Sequence, residues 1–300
     1  MENGVTAELR YNKPGICHLR TGLAMAHLIS NSPPMTNRKV SSIDRIRAQL
    51  WMASLKQMTG LNSPEKVAEF LISRLGWDKG DCTSLKRYAA GTQRAGGALG
   101  PNSSGKWVEL AAKIWPDTRA WFMTPLWFLL REEKVSLDDL LICVKNLPPL
   151  FREDFLLPSG PNSPPALCVN PIPKDFLYSF TDPVNPWSLG ALACAMRRAE
   201  LAGEPGTVRW AGVGIVWAIG YLLESTHPVM HPPLKELREL VNKYFAEIIY
   251  PGQYLLRAPI TDGDIDRFAN ERQKFMDYFL ECDFGEWKPG QPFPWIHKEG

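Results

Sequence analysis

The stretch SIDRIRAQLWMASLKQMTG, residues 42–60, decides the fold class. Ser42 precedes a run in which Ile43, Ile46, Leu50 and Ala53 fall three and four apart, with Trp51, Leu55 and Met58 alongside. That spacing is the period of one helix face, not the alternation of a strand. Gly60 stops the helix. The same grammar repeats downstream. Ser63 and Pro64 read as an N-cap followed by proline at the first helical position. Val67, Phe70, Leu71 and Leu75 form the inner face of this second helix, which Gly76 ends. A polar loop, Asp78-Lys79-Gly80-Asp81, leads to a short helix over 83–90 with Leu85, Tyr88 and Ala89 facing inward and Gly91 as its stop. Gly96, Gly97, Gly100 and Pro101 make a loose connection to a helix over 106–115, closed by Pro116.

The pattern holds to the other end. Residues 121–130 are strongly apolar. Ser136 and Asp139 form a capping box ahead of Leu137, Leu140, Leu141 and Val144. Residues 148–173 are proline-rich and read as an irregular linker or wrapped loop. Helices are then expected over 186–201, over 208–225 (nearly apolar all round) and over 233–250, where Leu234, Leu237, Val241, Tyr244, Phe245 and Ile248 keep helical period. Thr261 to Asp264 cap a further one, with Ile265, Phe268, Phe275, Met276 and Phe279. Alternating strand patterns are scarce, and no repeat of fixed period is found. The expectation is an all-α protein: a loosely attached arm at 1–35, a helical module at 36–130, a second helical part at 131–282 and an extended tail at 283–300. Met35, followed by a polar restart, reads as a candidate initiation site.

Composition narrows the class. At 45% hydrophobic and 22% charged, the 300-residue chain is expected to be globular and soluble. Cys17, Cys82, Cys143, Cys168, Cys194 and Cys282 are scattered, with no CxxC and no histidine at zinc-finger spacing, so free thiols in a reducing cytoplasm are expected. The longest apolar run, 210–223, is shorter than the ~20 residues that a membrane span needs and reads as a buried core helix.

Few residues carry recognisable chemistry. His227 and His231 stand four apart, but Pro228 and Pro232 follow them and argue for a loop rather than a metal site. Asp262, Asp264 and Asp266 alternate, yet Gly263 is misplaced for a calcium loop. Gly212 and Gly214 follow no strand and lack a third glycine, so close helix packing explains them better than phosphate binding. No nucleophile elbow, P-loop or paired-carboxylate motif is found. An enzyme is therefore the least favoured class, and no cofactor or metal is expected. Trp287 and Trp295 sit in the aperiodic tail and are expected to dock on the body.

Charge is the remaining signal. Residues 36–115 hold 13 Lys/Arg and six Asp/Glu, or +7, whereas the whole chain is +2 and the remainder therefore −5. A basic half beside an acidic one points to a polyanion. Within it lies the run Ser84-Leu85-Lys86-Arg87-Tyr88-Ala89-Ala90-Gly91-Thr92-Gln93-Arg94. Residues 43–115 resemble the Cro/C1-repressor type of helix-turn-helix domain, in which a recognition helix ends at a glycine and later helices close the bundle. The resemblance implies that Leu85 and Tyr88 anchor the recognition helix. It also implies that Ser84, Lys86 and Arg87 face DNA, and that Lys79, Arg94 and Lys106 flank it at phosphates. Three departures stand against it. The linker over 76–83 exceeds the usual turn, the helix is short, and Gly96-Gly97 replaces a proline-containing turn. The expected function is that of a DNA-binding protein, a regulator or a component of a mobile-element or defence system. The second part would serve a protein partner or a homodimer, without membrane contact. The competing reading is a helical protein-interaction scaffold whose cations form a solvated face.

Overall fold

The computed structural model describes residues 40–75, 83–92, 105–131, 134–157, 166–168 and 184–249. The arm at 1–35, Lys79, Arg94, the helix expected after Thr261 and the aromatic tail lie outside the described residues. Within them the protein is all-α. In order come α1 (Ser42–Thr59), α2 (Pro64–Leu75), α3 (Thr83–Ala89), α4 (Gly105–Ile114), α5 (Thr118–Met123), α6 (Leu126–Arg131), α7 (Leu137–Lys145) and the single turn α8 (Pro149–Arg152). Then follow α9 (Pro186–Ala202), α10 (Pro205–Ser225) and α11 (His231–Ile249). The described residues contain no strand, only one antiparallel bridge between Leu156 and Leu167.

Helix α1 is the hub. Its cap is Ser41 rather than Ser42: the Ser41 hydroxyl accepts the Asp44 N–H at 3.0 Å and donates to the Asp44 carboxylate at 2.8 Å. Gly60 closes it with its N–H on the Lys56 carbonyl. Ile46, Leu50, Trp51 and Leu55 are fully buried, and α1 packs against α2, α3, α5, α6 and α11. Each such side chain contributes about 1.5–3 kcal/mol through burial, so a helix buried along most of its length holds the fold together.

The apolar run at 121–130 is two helices, because Pro125 cannot continue one. Trp127 Nε1 bonds the Trp121 carbonyl at 2.8 Å across that corner. The capping box of Ser136 and Asp139 forms as expected. Leu137, however, is exposed, since the buried face of α7 is Leu140, Cys143 and Val144. The segment after Pro148 is not wholly irregular: α8 and a 3-10 turn at Glu153–Phe155 bury Phe151 and Phe155.

Helices α9 and α10 form the central hairpin. Asn185 caps α9 by accepting the N–H groups of Trp187 and Ser188, and Pro186 takes the first position. Helix α10 is longer than its apolar run. Residues Gly206–Ser225 are long and apolar enough to cross a membrane, but 69% of the most apolar window is buried in the fold, as in any core helix. Trp217 is 4% exposed. A Cβ at Gly214 would come within 3.1 Å of Leu192 on α9, so this glycine does serve close helix packing.

Helix α11 then returns against α10 and α1. Pro232 and Pro233 do not prevent it, because proline is tolerated in a first turn. The helices of the basic module and those of the second part share one apolar core. Arg45 on α1 pairs with Glu236 on α11 at 2.6 Å.

Candidate nucleic-acid interface

The seven-residue α3 is held by two anchors. Leu85 and Tyr88 are fully buried. The Tyr88 ring meets Trp51 edge-on at 5.2 Å and Phe122 at 6.4 Å, and Trp51 meets Phe122 at 6.1 Å. This aromatic cluster ties α3 to α1 and α5. Burial pushes the Tyr88 phenol well up, against the pull of the nearby Arg47 charge, so the ring stays neutral. Neither its hydroxyl nor the Trp51 indole N–H has a hydrogen-bond partner among the described residues. The cluster is held by packing, not polar bonds.

Gly91 ends α3 in the left-handed region at φ 65°. A Cβ there would overlap Arg45 Cγ. The turn therefore lies flat on α1 only because residue 91 has no side chain.

With those anchors inward, Thr83, Lys86 and Arg87 are exposed. Arg87 makes no ion pair with any described residue. Lys86 does: its Nζ lies 2.9 Å from Glu65 Oε1 in the first turn of α2. The other oxygen of Glu65 accepts the Ser63 hydroxyl. These two bonds, Ser63 first and Lys86 second, hold the Glu65 carboxyl down at about 2. Elsewhere on α2, Lys66, Glu69, Ser73 and Arg74 are exposed. Arg74 lies 5.9 Å over the Phe70 ring, which stacks on Trp115 at 5.7 Å.

Of the residues expected to touch DNA, the structure therefore places Lys86 and Arg87 on one exposed surface. Ser84 and Lys106 lie within α3 and α4, with side chains outside the described set. Lys79 and Arg94 lie outside it altogether. Helix α2 ends at Leu75 and α3 starts at Thr83, so the link is longer than a helix-turn-helix turn. Two cations counted in the basic window are occupied elsewhere. Arg45 holds Glu236, and Arg47 is buried, its Nε on the Phe122 carbonyl at 2.6 Å and its guanidinium 4.3 Å over the Phe122 ring. Lys66 and Arg74 on α2 were not singled out from sequence; Lys66 falls away from the Val67 and Leu71 face, whereas Arg74 shares the side of Val67 and is exposed at the last turn, which the helical period does not signal.

Among the described residues no other cluster offers chemistry. The described residues contain no group of three or more His, Cys, Asp or Glu that could hold a metal. His227 Nδ1 accepts the Val229 N–H at 3.3 Å, and His231 Nε2 lies 3.3 Å from the Thr226 carbonyl, so both histidines shape the turn before α11. Burial pushes the thiols of Cys143 and Cys194 well up, which makes both poor nucleophiles. Comparison with family models, characterised proteins and solved structures gives no match.

Proposed function

We propose that the chain binds double-stranded DNA through the exposed face of α2 and α3. The observation that carries this reading is the division of α3: Leu85 and Tyr88 are fully buried while Lys86 and Arg87 are exposed, and Lys86 reaches Glu65, the sequence neighbour of exposed Lys66. Cations on a helix that is already folded meet phosphates without ordering the backbone first, and such contacts fix the orientation of a protein on the duplex. In this reading Arg87 is the main contact. Ser84, Lys79, Arg94 and Lys106, expected from the sequence to join it, have side chains outside the described residues. Whether the face reads bases or only phosphates follows from salt and sequence dependence. The test is a titration of duplex DNA from the gene's own neighbourhood at ~50 and ~200 mM salt. Lys86→Ala with Arg87→Ala should weaken binding at least tenfold and flatten the salt slope by about two, one per lost phosphate contact. Absence of binding at low salt, both by the native protein and by Glu65→Gln, which breaks the Lys86 ion pair, removes the reading.

A second reading has its own observation. Leu137 is 58% exposed and Leu150 74% exposed, at the starts of α7 and α8. If the second helical part binds a protein partner or a second copy of the chain, these are the apolar side chains among the described residues of α7 and α8 that stand out to meet it. Leu137→Lys with Leu150→Lys should then abolish self-association, read by sedimentation; a chain that is monomeric at every concentration leaves only a different protein as partner.

A further inference from the structure

We infer that Glu65 restrains DNA binding by holding Lys86 as an internal substitute for a phosphate. This rests on the reading of the α2–α3 face given above. Three facts support it. The ion pair is short, 2.9 Å, yet its two side chains are 55% and 42% exposed, so an incoming phosphate can reach the lysine. Glu65 does not simply follow Lys86. Its second oxygen is held by Ser63, and it lies in the first turn of α2, where a negative charge is favoured. The low pKa of about 2 keeps this carboxylate charged at any physiological pH.

A phosphate approaching Lys86 must therefore displace a fixed carboxylate and lie beside it. Neighbouring Arg87 carries no such partner among the described residues. The two adjacent cations then play different roles: Arg87 binds any phosphate backbone, and Lys86 is released only where the rest of the interface holds the DNA firmly. Glu65 lowers affinity for random DNA in this scheme and so sharpens discrimination.

The experiment compares the native chain, Glu65→Gln, Lys86→Ala and the double variant on a fluorescent duplex of mixed sequence at low salt, with thermal midpoints recorded in parallel. Glu65→Gln should tighten binding about three- to tenfold and steepen the salt slope by about one. The gain should vanish when Lys86 is also alanine. Native binding with no gain from Glu65→Gln overturns the inference and leaves the DNA reading standing. So does a gain that persists without Lys86, or a lowered midpoint with no gain, which marks the pair as a strut between α2 and α3. If neither the native chain nor Glu65→Gln binds, the DNA reading itself falls. Binding by Glu65→Gln alone, dependent on Lys86, supports the inference in its strongest form.

Discussion

Lys86-Arg87 on α3 and Arg197-Arg198 on α9 are both dibasic steps inside helices, and they meet opposite fates. The first pair is exposed. The second is 1% and 4% exposed. Arg197 donates to the Leu129 carbonyl at 3.0 Å and to Glu200 at 2.8 Å, with its guanidinium 5.4 Å over Phe245. Arg198 donates Nε to the Cys168 carbonyl at 2.9 Å and Nη2 to Glu204 at 3.4 Å. Helix α3 has only two turns and two anchors, so its remaining positions fall outward. Helix α9 is surrounded by α6, α7 and α10, so an arginine there must find carbonyls or carboxylates or not be buried at all. Neighbouring charges in sequence therefore say little about exposure. A net charge counts cations such as Arg47, which is as buried as a leucine.

The sharpest way to break this contrast is Arg197→Ala. It leaves the Leu129 carbonyl without this charged donor, ~1.5–3 kcal/mol, and opens space beside Phe245. Relief of burying a charge offsets part of this, but Glu200 is half-solvated and gains little. A net loss of about 3–4 kcal/mol is expected from urea unfolding. A loss under ~1 kcal/mol, the range of surface substitutions, would mean that this arginine is as dispensable as a solvated one.

Gly91→Ala comes next, at the buried end of the helix that carries the exposed pair. A residue with a Cβ at this positive φ costs about 1–2 kcal/mol. The overlap with Arg45 can be relieved only by moving a side chain that is held by Glu236. A destabilisation of about 2 kcal/mol is expected, with α3 loosened from α1, which hydrogen exchange at Leu85 and Tyr88 would show. Tyr88→Phe should act in the other direction. It removes a buried hydroxyl that has no partner among the described residues, so it should be neutral or stabilise by up to ~1 kcal/mol. A clear loss would reveal a bond to the hydroxyl.

These effects also show which parts of the protein were legible in sequence. Helix periods, the glycine stops and the Ser136 box reflect local geometry, and most survive with shifts of one or two residues. The inward side of α3 was legible for the same reason, because Leu85 and Tyr88 are three apart. The pairing of Lys86 with Glu65 was not. It joins residues 21 positions apart through the packing of α2 on α3, which no period encodes. The burial of Arg47, Arg197 and Arg198 was equally hidden, since their partners are carbonyls of other helices. Even the length of α10 escaped the apolar run, because its first turn is started by Pro205 rather than by an apolar face.

The smallest expected effect completes the contrast. Arg87→Ala removes a cation that touches no acidic described residue and lies on the face of α3 opposite Leu85 and Tyr88. Alanine is the better helix former by a few tenths of a kcal/mol at most. The charge lies near the C-terminus of α3, where the helix dipole favours it by a similar amount. The two terms oppose each other, so unfolding free energy should stay within about 0.5 kcal/mol of the native value. Set against the loss expected at Arg197, the same residue type then differs by several kcal/mol between two dibasic steps. A loss above 1 kcal/mol at Arg87 would sink the division of α3 into an anchored and a solvated face. The DNA reading would lose its carrying observation with it, because a cation needed for folding cannot be reserved for phosphate.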